Sequence, residues 1–229
     1  MIQFGSCRAV VFDLDGTLAD TVGDLTTALN RTLIERDLPP PPEDAVRGMV
    51  GGGLAKLLQR GLAAHGISLG PAEHDAVLSR FVARYAANPA ERSTLYPGAR
   101  ETLDALRAAG IACGLCTNKH DAIARDLLNT LGIAKSFGVI QGSDAGFPRK
   151  PDPAGLAHVV KALGAAPEST LMVGDGRTDL ETARAAGLKA VVLVSFGYSV
   201  TPVTELGADA VINHLHDLVP DLALTAGAQ

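Results

Sequence analysis

Several things are scarce in this sequence, and each scarcity excludes something. There are three cysteines in 229 residues. That is an odd number and too few for a disulfide framework, so a reduced compartment, the cytoplasm, is the expectation. Positive charge is not in excess: 20 Lys plus Arg stand against 25 Asp plus Glu, a net charge of −5. Nucleic acid is a poor fit as a partner, because phosphate backbones recruit basic patches. No apolar run approaches the ~20 residues that span a bilayer, so no membrane partner is expected. The opening MIQFGSCRAVVFDLDG soon meets acidic residues and lacks a small-residue cleavage pattern, so it does not read as a signal peptide. No solenoid-like period is visible.

What is present is an ordinary globular composition, 47% hydrophobic and 20% charged, which excludes disorder over most of the chain. Short apolar runs occur at Ala9–Phe12, Ile111–Cys116, Phe137–Ile140, Thr170–Val173, Ala190–Val194 and Asp209–Ile212. They do not alternate with polar residues, which is how strands buried on both faces read. Between them lie amphipathic stretches that end in glycine: ARETLDALRAAG, DAIARDLLNTLG and TDLETARAAG. Helix, glycine, strand, repeated, predicts an α/β fold with a parallel sheet and crossover helices. From Asp20 to Arg92 the rhythm changes. Leu25, Leu29 and Leu33, then Leu54, Leu57 and Leu58, keep helical spacing, and Pro39 to Pro42 mark a rigid loop. The expected division is a core of residues 1–19 and 93–229 with an all-helical insertion at 20–92. The tail beyond Pro220 is small and polar and reads as a frayed end.

Ligands of open parallel sheets bind beyond the carboxyl ends of the strands. Those ends carry Asp13 and Asp15 after the first run, Thr117, Asn118 and Lys119 after Cys116, and Asp175 and Asp179 after Val173; a separate loop carries Lys150. Asp13, Asp15 and Asp175 together would crowd like charges, and a hard cation preferring oxygen ligands relieves this. Mg²⁺ is the natural choice, and the lack of accompanying His or Cys disfavours zinc. Thr117, Asn118 and Lys150 offer donors, which makes the set suited to a phosphate group. Each residue also has a plainer reading. The DxDG string matches a turn, Thr117 suits an N-cap for a helix beginning near Asp121, Lys150 suits a solvated loop, and Asp179 suits the first turn of a helix. Cys113 and Cys116 form a C-x-x-C string, but on a strand their side chains face opposite ways. Gly51–Gly53 lacks the Walker spacing and reads as a turn bordering the substrate.

The strings DLDGTLADT, TNK, RKPDP and GDGRTDLETARAAG, in this order and spacing, resemble the four motifs of the haloacid dehalogenase superfamily. The RGMVGGG and SFGYSV stretches are similar to its phosphoglycolate phosphatase-type branch. The resemblance implies a Rossmann-like parallel sheet core with an inserted all-helical cap. It also implies Mg²⁺-dependent hydrolysis of a small phosphorylated metabolite, with phosphoglycolate as the leading substrate. On this resemblance Asp13 is the nucleophile that forms an aspartyl-phosphate, and Asp15 is the acid and then the base. Thr117 and Lys150 hold the phosphoryl oxygens. Asp13, the Asp15 carbonyl and Asp175 bind Mg²⁺, while Asp179 either meets the metal through water or orients Lys150. Gly176 departs from the common fourth motif, where a Ser or a bulkier residue is frequent. Arg47, Lys56 and Arg60 are candidates for a second cation facing a substrate carboxylate. The competing functions are a sugar-phosphate mutase, a sugar or nucleotide phosphatase of the same superfamily, and a non-enzymatic receiver-like phosphate-binding module.

Overall fold

A computed structural model describes residues 7–219; the tail beyond Pro220 and the first six residues lie outside them. The chain begins with β1 (Ala9–Phe12) and the two-residue β2 (Ala19–Asp20). Four helices follow: α1 (Val22–Ile34), α2 (Glu43–Arg47), α3 (Leu54–Ala63) and α4 (Pro71–Ala87). The two-residue β3 (Thr94–Leu95) leads back to α5 (Ala99–Ala108), β4 (Ala112–Cys116), α6 (Asp121–Thr130) and β5 (Val139–Gln141). The chain then runs through α7 (Ala154–Ala162), β6 (Thr170–Gly174), α8 (Arg177–Ala185), β7 (Ala190–Val194) and β8 (Ala210–Ile212).

Six strands form one sheet in the order β5-β4-β1-β6-β7-β8, every pairing parallel. The expected α/β architecture is therefore present. β1 is buried throughout because both faces of the sheet are covered. Val10 and Phe12 pack on one face with Leu103 of α5 and Leu127 of α6. Val11 packs on the other with Val159 of α7 and Leu180 of α8. Cys113 joins the first cluster and Cys116 the second, so the C-x-x-C pair points to opposite faces. The glycines that close α5, α6 and α8 (Gly110, Gly132 and Gly187) all have positive φ, as helix termination requires.

Strand ends differ from the apolar runs by one or two residues. Ile111 donates its N–H to Leu106 O, closing α5, and Phe137 donates to Ala134 O in a turn. Neither amide is free for the ladder, so β4 and β5 start later than the apolar runs do. Sequence patterning missed the antiparallel β2–β3 pair, in which Ala19 faces Leu95 and Asp20 faces Thr94. Two residues per strand are too few to carry a period.

Between β2 and β3 the elements are helices, as the leucine spacing predicted, and Pro39–Pro42 lie in the connection from α1 to α2. Leu29, Leu33, Leu57, Leu58, Phe81 and Tyr85 form their own apolar cluster. Ile123 and Tyr198, from the sheet-bearing part of the chain, pack into it. Among the described residues no helix is long and apolar enough to cross a membrane.

Phe81 is fully buried at the centre of the helical cluster. Phe81→Ala is expected to cost about 3–5 kcal/mol of unfolding free energy through lost burial and a residual cavity, read as a lower urea midpoint.

Candidate active site

The strand order assembles the site. β1 lies between β4 and β6, so the loops that follow these three strands leave the sheet side by side. The chain fills one side of β1 with β4 and β5 before crossing to β6 on the other, and this reversal opens a crevice at the strand ends. Asp13 starts the first loop and donates its N–H to Val173 O at 2.9 Å, which ties it to the end of β6. Thr117 starts the second and donates its N–H to Gln141 O at 3.0 Å, the last residue of β5. Asp175 starts the third, directly after Gly174. A Cβ on Gly174 would overlap the Asp179 side chain, and one on Gly197 would overlap Asp175. Glycine at both positions lets the loops close on the acidic group.

Lys150 is the cation at the centre. Its Nζ donates to Asp179 Oδ1 at 2.6 Å and lies 2.9 Å from Asp13 Oδ1. The second contact is an ion pair without hydrogen-bond alignment, and Asp13 Oδ1 has no hydrogen-bond partner among the described residues. Asn118 fixes the Lys150 main chain from both sides: its Oδ1 accepts the Lys150 N–H at 2.9 Å and its Nδ2 donates to Lys150 O at 3.1 Å. The amide expected to reach the phosphate is thus engaged with the lysine loop. Thr117 does not cap a helix. Its hydroxyl accepts the Lys119 N–H at 3.2 Å, and α6 is preceded by His120.

Asp13, Asp175 and Asp179 bring carboxylate oxygens within 4.8 Å of one another. Asp179 is committed on both oxygens, one to Lys150 and the other to the N–H groups of Asp175 and Gly176 at 3.1 and 3.3 Å. It orients Lys150 and the turn carrying Asp175. Asp175 Oδ2 accepts the Tyr198 N–H at 2.7 Å. Three carboxylates around one ammonium leave negative charge in excess. Burial, against the pull of Lys150, pushes the Asp13 carboxyl up to about 6. Burial, with Asp179 and Asp13 nearby, pushes Asp175 well above its ordinary value. Burial pulls Lys150 down, but Asp13 and Asp179 more than offset it and hold the ammonium high. The all-carboxylate donor set and the negative charge that one lysine leaves uncompensated fit a hard divalent cation.

Asp15 faces a different set of partners. Lys119 Nζ donates to its two oxygens at 2.7 and 2.9 Å, and Thr21 Oγ1 donates to Oδ1 at 2.7 Å. Burial pulls the Lys119 ammonium down, while Asp15 and Tyr85 raise it further, so it stays above its ordinary value. Residue patterning had located Lys119 after its strand without finding its partner, and it did not find Thr21 or Tyr85 at all.

A pocket of about 590 Å³ opens over these groups. Asp13, Asp15, Thr117, Lys150 and Asp175 line one side, and Gly51–Gly53 with Lys56 line the other. The three candidate cations of the helical insertion separate clearly. Arg47 pairs with Asp20 at 3.0 Å and lies 5.2 Å from the centre of the Tyr198 ring. Arg60 donates to the carbonyls of Met49, Val50 and Gly51. Lys56 and Arg60 both line the pocket, and Lys56 is committed to no such partner among the described residues.

Comparison with known proteins agrees with this geometry. Residues 10–193 match the family model of the haloacid dehalogenase-like hydrolases. A curated relative from Rhodospirillum rubrum, named phosphoglycolate phosphatase, is 46% identical over 215 residues, covering 92% of this chain and 89% of the relative. One of the same name from Mesorhizobium japonicum is 41% identical over 214 residues, covering 93% and 94%. The crystal structure of a predicted phosphoglycolate phosphatase from Haemophilus somnus superposes with a TM-score of 0.87 at 30% identity, covering 94% of this chain and 97% of that one. The chain belongs to the haloacid dehalogenase-like hydrolase family.

Proposed function

We propose that this chain is a Mg²⁺-dependent phosphatase that hydrolyses a small phosphorylated acid, 2-phosphoglycolate foremost, through a phosphorylated aspartate. The observation that carries this reading is the meeting of Asp13, Thr117, Lys150 and Asp175 at one crevice, with Lys150 ion-paired to Asp13. Residues 20–92 then act as a cap over a core formed by 1–19 and 93–229. The relatives' shared name favours phosphoglycolate.

Asp13 attacks phosphorus, and the ester oxygen leaves with a proton from Asp15. Lys150 and the Thr117 hydroxyl hold the phosphoryl oxygens, whose charge grows in the transition state. Asn118 acts through Lys150 by fixing its main chain, and Asp179 acts through the same lysine by fixing its ammonium. Water then attacks the phosphorylated Asp13, and Asp15 takes its proton. Asp13, the Asp15 carbonyl and Asp175 would hold Mg²⁺, which supplies charge neutralisation between an anionic nucleophile and an anionic phosphate. Lys56 faces the substrate carboxylate.

Three outcomes are expected. Purified protein releases phosphate from p-nitrophenyl phosphate and 2-phosphoglycolate with Mg²⁺ and loses this with EDTA, and Asp13→Asn lowers kcat at least ~100-fold because the nucleophile is gone. Full activity in Asp13→Asn would refute the mechanism. Lys56→Met raises KM for 2-phosphoglycolate about tenfold and leaves p-nitrophenyl phosphate, which has no carboxylate, nearly unchanged, since one lost charge contact is worth ~1.4 kcal/mol here.

The third outcome concerns pH. Asp13 binds a proton more tightly when folded, at about 6 against an ordinary 3.8. Its contribution to stability is therefore full below the lower value and is lost as pH rises through the upper one. With metal chelated, Asp13→Asn gains Tm relative to wild type as pH goes from 4 to about 7. Mg²⁺ raises the wild-type Tm more at pH 7 than at pH 5, as thermal scans check.

A further inference from the structure

We infer that Lys119 is a positioning residue for Asp15, that Tyr85 on the helical insertion walls it in, and that the pair serves the half-reaction in which water cleaves phosphorylated Asp13. This rests on the reaction proposed above.

Lys119 lies 104 residues from Asp15 in sequence and grips both of its oxygens, at 2.7 and 2.9 Å. Its side chain is 1% exposed. Its ammonium lies 4.7 Å from the centre of the Tyr85 ring, and Tyr85 is itself buried, on α4. A cation over an aromatic face is held by the ring's quadrupole, more strongly when water is excluded. Asp15 therefore has one neighbour from the loop after β4, Lys119, and one from the entrance to α1, Thr21. A third element, α4, closes over the lysine. A buried ion pair seldom repays its desolvation, and an apolar pair would serve stability as well. The pair is better explained by what it does to Asp15, which lines the same pocket as Asp13.

Two bonds from one ammonium, with the Thr21 bond on Oδ1, fix the plane and direction of the Asp15 carboxylate. The second half-reaction needs that group as an aimed proton acceptor. The water oxygen bonds to phosphorus, and the bond from phosphorus to the Asp13 oxygen breaks. Asp13 leaves as a carboxylate, the water proton goes to Asp15, and inorganic phosphate is released. Misplacing the acceptor slows this step. With p-nitrophenyl phosphate the first half-reaction needs little help, because p-nitrophenolate leaves readily without a proton.

The test is steady-state and acid-quench kinetics with Mg²⁺ and p-nitrophenyl phosphate. The ratio kcat/KM reports only the steps through departure of p-nitrophenolate, whereas kcat includes hydrolysis of the phosphorylated enzyme. Lys119→Met is expected to lower kcat about 10- to 100-fold, with KM falling alongside so that kcat/KM stays within about threefold. It should show a burst of p-nitrophenolate close to one per chain, and acid-quenched protein should carry phosphate on Asp13. Tyr85→Leu gives the same split with a smaller drop, and Tyr85→Phe, which keeps the ring, stays near wild type. If Lys119→Met does not fold, the two Tyr85 variants decide. Equal losses in kcat and kcat/KM with no burst would mean a structural role and overturn the inference, as would unchanged kinetics. A wild-type protein that releases no phosphate, or an active Asp13→Asn, fails at the earlier stage: it removes the proposed reaction and this inference with it.

Discussion

Everything at this site depends on one electrostatic constraint. Three carboxylates crowd one another while a single buried ammonium pairs with two of them, and charges in such a place are costly unless paired. The protein meets part of the cost internally. Asp179 gives both oxygens to fixed donors, and Asp175 accepts the Tyr198 N–H. Asn118 pins the Lys150 main chain, and Asp179 and Asp13 hold its ammonium. What is left unmet sits on Asp13, whose carboxyl burial pushes up to about 6 and whose Oδ1 has no aligned donor. A carboxylate that shares its one lysine with Asp179 is arranged for an incoming group that brings compensating charge. The remainder of the molecule can be understood as the means of keeping these groups together.

The sheet is the first of those means. Phe12 pairs with Leu115 on one side and Val173 on the other, so the residues after each strand emerge at the same level. Because the three strands are parallel, their carboxyl ends lie on one edge, where an antiparallel arrangement would have sent one loop to the far side. Close approach of the loops then requires residues without side chains at Gly174 and Gly197. Gly176 joins this scaffold through its main chain, donating its N–H to Asp179.

The large elements of this fold were legible in sequence because each is a repeated local signal. Apolar runs marked the six strands of the sheet, and leucines at helical spacing marked the insertion. The ends of β4 and β5 were less legible, since Ile111 and Phe137 are apolar yet spend their amides on helix and turn closure. Asp13, Asp15, Thr117 and Asp175 could be picked out from their places after strands, and Lys150 from a separate loop. Of their partners, only Asp179 for Lys150 was anticipated, and that through the family resemblance. Lys119 and Asp15 are 104 residues apart, and Tyr198 and Thr21 are 177 apart. A single sequence has no local pattern that records such a pairing. The engagement of Arg47 with Asp20, and of one Arg60 nitrogen with a row of carbonyls, was likewise hidden from the sequence, although Arg60 still lines the pocket.

The root of the helical insertion explains how a wall can be built from a segment so far along the chain from most of the catalytic loops. The Asp24 carboxylate on α1 accepts the N–H groups of Arg92 and Ser93 and the Ser93 hydroxyl, so the outgoing and returning strands of chain are joined at one buried point. Thr21 has no side-chain cap for α1. The Tyr198 hydroxyl supplies one, accepting the N–H groups of Thr21 and Val22 at 2.6 and 3.1 Å and donating to Asp20 at 2.7 Å. The same tyrosine donates its own N–H to Asp175. One residue therefore links the entrance of the insertion to a carboxylate of the acidic cluster.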